Sequence, residues 1–217
     1  MPELSKKEKL RIIEEKLQKC HNCAISKSRI NLVFGTGNPD TRLMFIGEAP
    51  GRDEDLQGKP FVGRAGQLLT KIIESIGLDR EEVYIANILK CRPPGNRPPE
   101  PGEINNCEQF LKQQIEIIRP EIICPLGRIS AQALLKTQTQ ISKLRGNFFT
   151  YENIKLIPTY HPAYLLRNPH DKMKVWEDMK KIKEALENPP EEQKPTAVKN
   201  EEQQKKDLIE QLNLFNK

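Results

Sequence analysis

Apolar positions along the chain follow two rhythms. Between residues 5 and 19 they recur at helical spacing (Leu10, Ile13, Leu17) among charged neighbours, which predicts an amphipathic helix with Ser5 as its N-cap. At 42–47, RLMFIG, they run without interruption, as in a strand buried on both faces, and stop at a glycine. A long polar loop, EAPGRDEDLQGKPFVG, follows, and RAGQLLTKIIESIGL then returns to helical spacing and closes at Gly77. VYIANILK reads as a second strand, and CRPPGNRPPEPG is too rich in proline to continue either element. Residues 103–118 read as a helix stopped by Pro120, EIICPLG as a third strand, and RISAQALLK as the helix behind it. FFTYENIKLIP predicts a short hairpin whose second half feeds a last core strand, TYHPAYLLRNP a loop, and 170–187 a final amphipathic helix.

Strands alternating with helices predict an α/β, three-layer sandwich around a mainly parallel sheet. Ligands of such sheets bind where the strands end at their carboxyl side. That geometry gathers the loops after Gly47, Leu89 and Pro158. From Asn188 the composition turns polar and loses core residues, so 1–187 reads as the folded domain and 188–217 as a flexible tail. The tail becomes apolar again at its end, DLIEQLNLFNK.

The 217 residues hold 36% apolar and 30% charged side chains, enough for one core, and carry a formal charge of +5. The tail, with six acidic against five basic residues, is nearly neutral, so the excess sits on the body and suits a polyanionic partner. No apolar run approaches the ~20 residues that span a bilayer, and the N-terminus lacks a signal-peptide core, which reads as a cytoplasmic protein.

Five cysteines in a chain of this kind argue against a disulfide framework. Cys20 and Cys23 form a C-x-x-C pair, and Cys91 and Cys107, with fifteen residues between them, stand in the proline-rich segment and the helix after it. Four thiolates suit zinc or an iron–sulfur cluster. The 67 residues between the pairs are more than compact zinc ribbons use and tilt the reading toward a cluster, with a redox pair or unrelated thiols as alternatives. His21 is a possible substitute ligand. Cys124, inside an apolar run, reads as core.

The loop after the first strand has glycines and a lysine but neither the P-loop nor the dinucleotide spacing. Its function-capable groups are Glu48, Glu54 and Phe61. Here GEAPGRDEDLQGKPFVGRAG, NILKCRPPGNRPP and HPAYLLRNP resemble, in order, the three signatures of the family-4 uracil-DNA glycosylases, the iron–sulfur type of thermophilic bacteria and archaea. The resemblance covers about residues 10–185. It implies a central four-stranded parallel sheet, a [4Fe-4S] cluster on Cys20, Cys23, Cys91 and Cys107, and a monofunctional enzyme of base-excision repair. Such an enzyme acts as a monomer, flips uracil out of single- or double-stranded DNA and hydrolyses its N-glycosidic bond.

The resemblance also implies roles. Phe61 would stack on the flipped base, and Asn87 would read uracil N3–H and O4 through its amide; without the family, Asn87 would pass for a strand-end amide satisfying the backbone. The Ala49 N–H would contact uracil, and His161 would donate to the developing charge at O2, whereas on its own it is equally a loop histidine before proline. The family-typical alanine at 49 leaves the water to another group, Glu48 first and Glu54 second. After His161, the apolar run ending in a cation suits insertion into the base stack, with Leu166 preferred over Leu165 and Arg167 behind it. Lys59, Arg64, Arg92, Arg97 and Arg167 are candidate phosphate contacts. The segment 208–216 loosely resembles peptides that grip a sliding clamp, though Ile209 replaces the usual glutamine, and a frayed amphipathic helix reads equally well. Rival functions are a non-catalytic iron–sulfur DNA-binding module and a relative acting on another damaged base.

Overall fold

Ser5 opens the first helix through a reciprocal cap. In the computed structural model of the chain, which describes residues 4–188, the Glu8 N–H donates to Ser5 Oγ and the Ser5 N–H to the Glu8 carboxylate. This helix, α1 (Lys6–Gln18), buries the predicted stripe Leu10, Ile13 and Leu17. Strands β1 (Thr36–Gly37) and β2 (Leu43–Gly47) follow, then helices α2 (Arg52–Gln57) and α3 (Arg64–Glu74). Strand β3 (Tyr84–Asn87), helix α4 (Pro101–Ile118) and strand β4 (Ile122–Pro125) come next. Helices α5 (Arg128–Leu135) and α6 (Ile141–Leu144) lead to the hairpin β5 (Phe149–Tyr151) and β6 (Ile154–Leu156). Helices α7 (Pro162–Arg167) and α8 (Lys172–Glu187) end the described chain.

The sheet order is β1-β3-β2-β4-β6-β5. Its centre, β3-β2-β4-β6, is parallel, and the short strands β1 and β5 add antiparallel edges. The four-stranded parallel sheet expected from the resemblance is thus the middle of a six-stranded one. Strands β2 and β4 are buried along their whole length. Their residues alternate between two cores, as the period of two requires. Met44, Ile46 and Ile123 pack with α1 and α4, whereas Leu43, Phe45, Ile122 and Cys124 pack with α3 and α8. Cys124 is fully buried, and burial holds its thiol well above the ordinary range, in keeping with a core role.

Three departures from the predicted pattern bear on the site. The loop after β2 contains α2, and the loop after β6 contains α7; each has six residues, too few for a periodic signal. Helix α4 starts at Pro101 rather than 103, since a proline in the first turn lacks only an N–H that no helical partner would take. Among the described residues no helix is long and apolar enough to cross a membrane. The predicted clamp-binding peptide at 208–216 lies outside the described residues.

Candidate functional site

The carboxyl ends of the parallel strands open on a cavity of about 490 Å³, lined by residues of all three anticipated loops. Strand register brings the first two together, because Gly47, last in β2, pairs with Asn87, last in β3. Asn87 is buried, and its Oδ1 has no hydrogen-bond partner among the described residues. A buried amide oxygen without a partner costs about 1–3 kcal/mol, which a bound donor would recover. Phe61 closes over the same point. A Cβ placed on Gly47 would lie 2.3 Å from Asn87 Oδ1 and 2.6 Å from the Phe61 ring edge, so only glycine lets amide and ring approach the strand end.

Phe61 itself has φ +53°, the left-handed region, which costs a bulky residue roughly 1–2 kcal/mol. Its ring centroid lies 5.6 Å from that of His161, tilted by 31°. His161 comes from the third loop and caps α7: its Nδ1 accepts from the Ala163 N–H at 3.1 Å. That bond leaves the imidazole proton on Nε2 as a donor. Burial, aided by the nearby Arg167 charge, lowers the His161 pKa to about 4, so the ring is neutral at ordinary pH. The loop is anchored beneath by Thr159, whose hydroxyl donates to the buried Asp178 carboxylate at 2.6 Å, and Arg145 completes that pair.

The two carboxylates proposed for the water part company here. Glu48 stands directly after β2 at the cavity wall, and burial raises its pKa despite the opposing pull of Arg128. Glu54 also borders the cavity, but its carboxylate accepts from the N–H groups of Gly51, Val62 and Gly63 at 3.1, 2.9 and 3.1 Å. It braces the loop that carries Phe61, work that leaves little of its acceptor capacity for water. Ala49 lines the cavity beside Glu48.

The candidate wedge resolves into different faces of α7. Leu165 is 1% exposed and belongs to the core, so it is not available to DNA, whereas Leu166 is 39% exposed. Arg167 borders the cavity. Of the other candidate phosphate contacts, Lys59 and Arg64 are exposed. Arg97 borders the cavity but is forked onto Glu103 at 2.6 and 2.9 Å, and Arg92 donates to Asn96 Oδ1 at 2.7 Å.

A second group of reactive side chains lies behind this wall. Cys20, Cys23, Cys91 and Cys107 all line one narrow apolar pocket with Leu17, Ile25, Leu89 and Phe110. The chain brings them there from the end of α1, the turn after it, the end of the β3 segment and the second turn of α4. Burial raises the Cys107 thiol to about 11 and shifts Cys23 and Cys91 upward, while Arg29 Nη1 donates to Cys91 Sγ at 3.2 Å. Beside them Lys90 is fully buried, and its ammonium donates to two neutral acceptors, Asn87 O at 2.9 Å and Gln114 Oε1 at 2.5 Å. A buried cation without a carboxylate calls for negative charge nearby. An all-sulfur anionic centre on the four thiolates would supply it, so the donor set fits an iron–sulfur cluster. Among the described residues no three His, Cys, Asp or Glu side chains converge as a site for a single ion. His21 does not line this pocket.

Sequence reading missed the supports rather than the contacts: the Glu54 brace, the Asp178 anchor and the residues around Phe61. Little in local spacing marks them, because apart from the Glu54 cap on Gly51 each acts across a fold contact.

Residues 34–180 match the profile of the uracil DNA glycosylase superfamily. The chain is 49% identical over 190 residues to a type-4 uracil-DNA glycosylase of Saccharolobus solfataricus, covering 83% of this chain and 88% of that one. It is 45% identical to the type-4 uracil-DNA glycosylase of Thermotoga maritima, over 82% of this chain and 95% of the relative. A type-5 uracil-DNA glycosylase of Pyrobaculum aerophilum is more distant, 30% identical over 59% of this chain.

Proposed function

This chain belongs to the uracil DNA glycosylase superfamily, and from that membership we propose how its own residues extrude uracil and cut it from DNA. It is a uracil-DNA glycosylase of base-excision repair, a monofunctional hydrolase that leaves an abasic site. The observation that carries the residue assignments is the unpartnered Asn87 Oδ1, buried at the point where Gly47, Phe61 and the His161 loop meet.

A uracil turned out of the stack costs a few kcal/mol and needs a fitted pocket. Phe61 offers the base a flat apolar face. Asn87 Oδ1 accepts from N3–H and its Nδ2 donates to O4, a pattern that cytosine, with donor and acceptor exchanged, does not satisfy. The Ala49 N–H adds a contact to the base. Leu166 enters the vacated stack, with Arg167 on the backbone beside it. Leu166→Ala is expected to slow uracil release from a duplex more than from a single strand, where no stack must be refilled; equal loss on both would remove Leu166 from this role.

Breaking the bond puts positive charge on the sugar and negative charge on the departing base. His161 Nε2–H donates to the charge gathering at O2 without transferring a proton. Glu48, as a carboxylate, orients water toward C1′ and steadies the sugar cation. Its raised pKa has a consequence for pH dependence. As pH falls, Glu48 takes up a proton above the usual carboxylate range, and activity is lost there. His161, at about 4, adds no transition near the ordinary histidine value of about 6.5. The profile of kcat against pH should therefore show one acidic limb, kept in His161→Asn and absent from the residual activity of Glu48→Gln. A limb that vanishes in His161→Asn instead would reverse the two roles.

Cys20, Cys23, Cys91 and Cys107 would hold a [4Fe-4S] cluster. It would tie α1, the proline-rich loop and α4 together by covalent bonds, and it supplies no chemistry to a hydrolysis that needs no electrons. The purified protein is expected to be brown, with iron and sulfide in equal amounts. Cys91→Ser is expected to bleach the visible absorbance and lower Tm; a colourless protein carrying one zinc would overturn the cluster. Release of uracil, but not of thymine or cytosine, from a single-stranded oligonucleotide tests the whole assignment.

A further inference from the structure

Phe61 has the least expected backbone in the pocket wall. Among the described non-glycine residues with positive φ, Arg119 and Lys136 close helices, Glu152 and Asn153 turn the hairpin, and Asn96 sits in the proline-rich turn as a residue type that tolerates this conformation, so all five are ordinary. Phe61 alone is aromatic, and its ring borders the cavity. Several supports converge on its backbone. Arg80, in the turn between α3 and β3 and outside the cavity lining, donates through Nη2 to Pro60 O at 2.8 Å and to Phe61 O at 3.0 Å. Its Nη1 donates to Thr70 Oγ1 on α3 at 3.2 Å. Helix α3 also presses close at Gly66, where a Cβ would lie 1.8 Å from Phe61 O. The next two N–H groups, of Val62 and Gly63, are taken by Glu54. The carbonyl of Phe61 and the amides after it are thus pinned, and the torsions that aim the ring are set.

We propose that Arg80 is a positioning residue for base recognition: its guanidinium fork holds Phe61 in the left-handed conformation that lays the ring over Gly47 beside Asn87 and His161. The proposal rests on the reading of Phe61 as the face on which uracil stacks. A planar fork suits the task because it reaches two successive carbonyls and a hydroxyl at once, which a single ammonium does not. Released from Arg80, Phe61 would relax toward an extended backbone and carry its ring away from the strand end.

The test is a double-mutant cycle of Arg80→Met, which keeps much of the aliphatic stem, with Phe61→Leu. Four quantities are read: kcat and KM for uracil release from single-stranded DNA, inhibition by free uracil, and Tm. Arg80→Met is expected to lower kcat and weaken uracil inhibition about tenfold each, with KM for DNA little changed, the size of effect that a released backbone strain can produce. In the Phe61→Leu background, Arg80→Met should change neither quantity further. Equal losses in both backgrounds, following Tm, would make Arg80 a structural staple and overturn the proposal. Phe61→Leu with wild-type rate and uracil inhibition would instead overturn the stacking role of Phe61, and this proposal with it. If Arg80→Met does not fold, Arg80→Lys, which keeps the charge but not the fork, is read in the same cycle; its expected result is a smaller loss confined to the Phe61 background, and a loss of equal size in both overturns the proposal.

Discussion

His161→Ala is expected to slow single-turnover release of uracil by about 10²–10³-fold while DNA binding stays unchanged, the loss typical of one donor aimed at developing charge. Two observations set that magnitude. The Ala163 N–H bond to Nδ1 places the proton on Nε2, and burial with the Arg167 charge lowers the pKa to about 4, so the donor is a neutral imidazole throughout the working range. The charge it meets exists only as the glycosidic bond breaks, so the loss belongs in kcat rather than KM. Alanine also removes the cap of α7, which costs about 1 kcal/mol of stability. His161→Asn separates the two effects, since asparagine caps a helix well and keeps an N–H donor. It should recover Tm fully and the rate in part. Equal rates for His161→Ala and wild type would take His161 out of the chemistry.

Asn87→Asp is expected to shift the preference for uracil over cytosine by roughly 10²–10⁴-fold, the worth of two buried hydrogen bonds exchanged for two mismatches. An ionised aspartate has no donor for uracil O4 and sets a charge in a buried place. A protonated one can carry its O–H on either oxygen and so offers donor and acceptor in either order, meeting cytosine N3 and its amino group as well as uracil. Uracil release should therefore fall steeply, and cytosine release should become measurable at low pH, where the carboxyl holds its proton. The measurement is release of each base from otherwise identical single-stranded oligonucleotides. Unaltered selectivity would mean that the Asn87 amide serves the backbone, the bland reading that its position at a strand end invites.

Much of this was legible in the linear chain, and the reasons are specific. RLMFIG and EIICPLG announce buried parallel strands because both faces of each strand meet a helix layer, so no polar residue interrupts them. Leu10, Ile13 and Leu17 mark α1 because a helix buries one stripe, and Ser5 with Glu8 marks its start because the cap is local. Long motifs made the family recognisable, and with it the candidate residues Glu48, Phe61, Asn87 and His161, all of which border one cavity. A polar residue at the end of an apolar strand needs no fold to be noticed.

What only the tertiary structure decided concerns direction and partnership. Leu165 and Leu166 are neighbours of one chemistry, yet one faces the core and the other solvent, because α7 is docked with a particular rotation that six residues cannot encode by period. Glu48 and Glu54 are equal as letters; the difference is that three backbone N–H groups of a folded-back loop reach Glu54. Gly47 meets Asn87 through strand register, and Arg80 meets Phe61 across a turn and a helix. Local sequence determines which elements form and what they carry, since burial and capping act over a few residues. Which side chains share a pocket, and which carboxylate has acceptor capacity to spare, follows from contacts between elements far apart in the chain, and these exist only once the sheet has assembled.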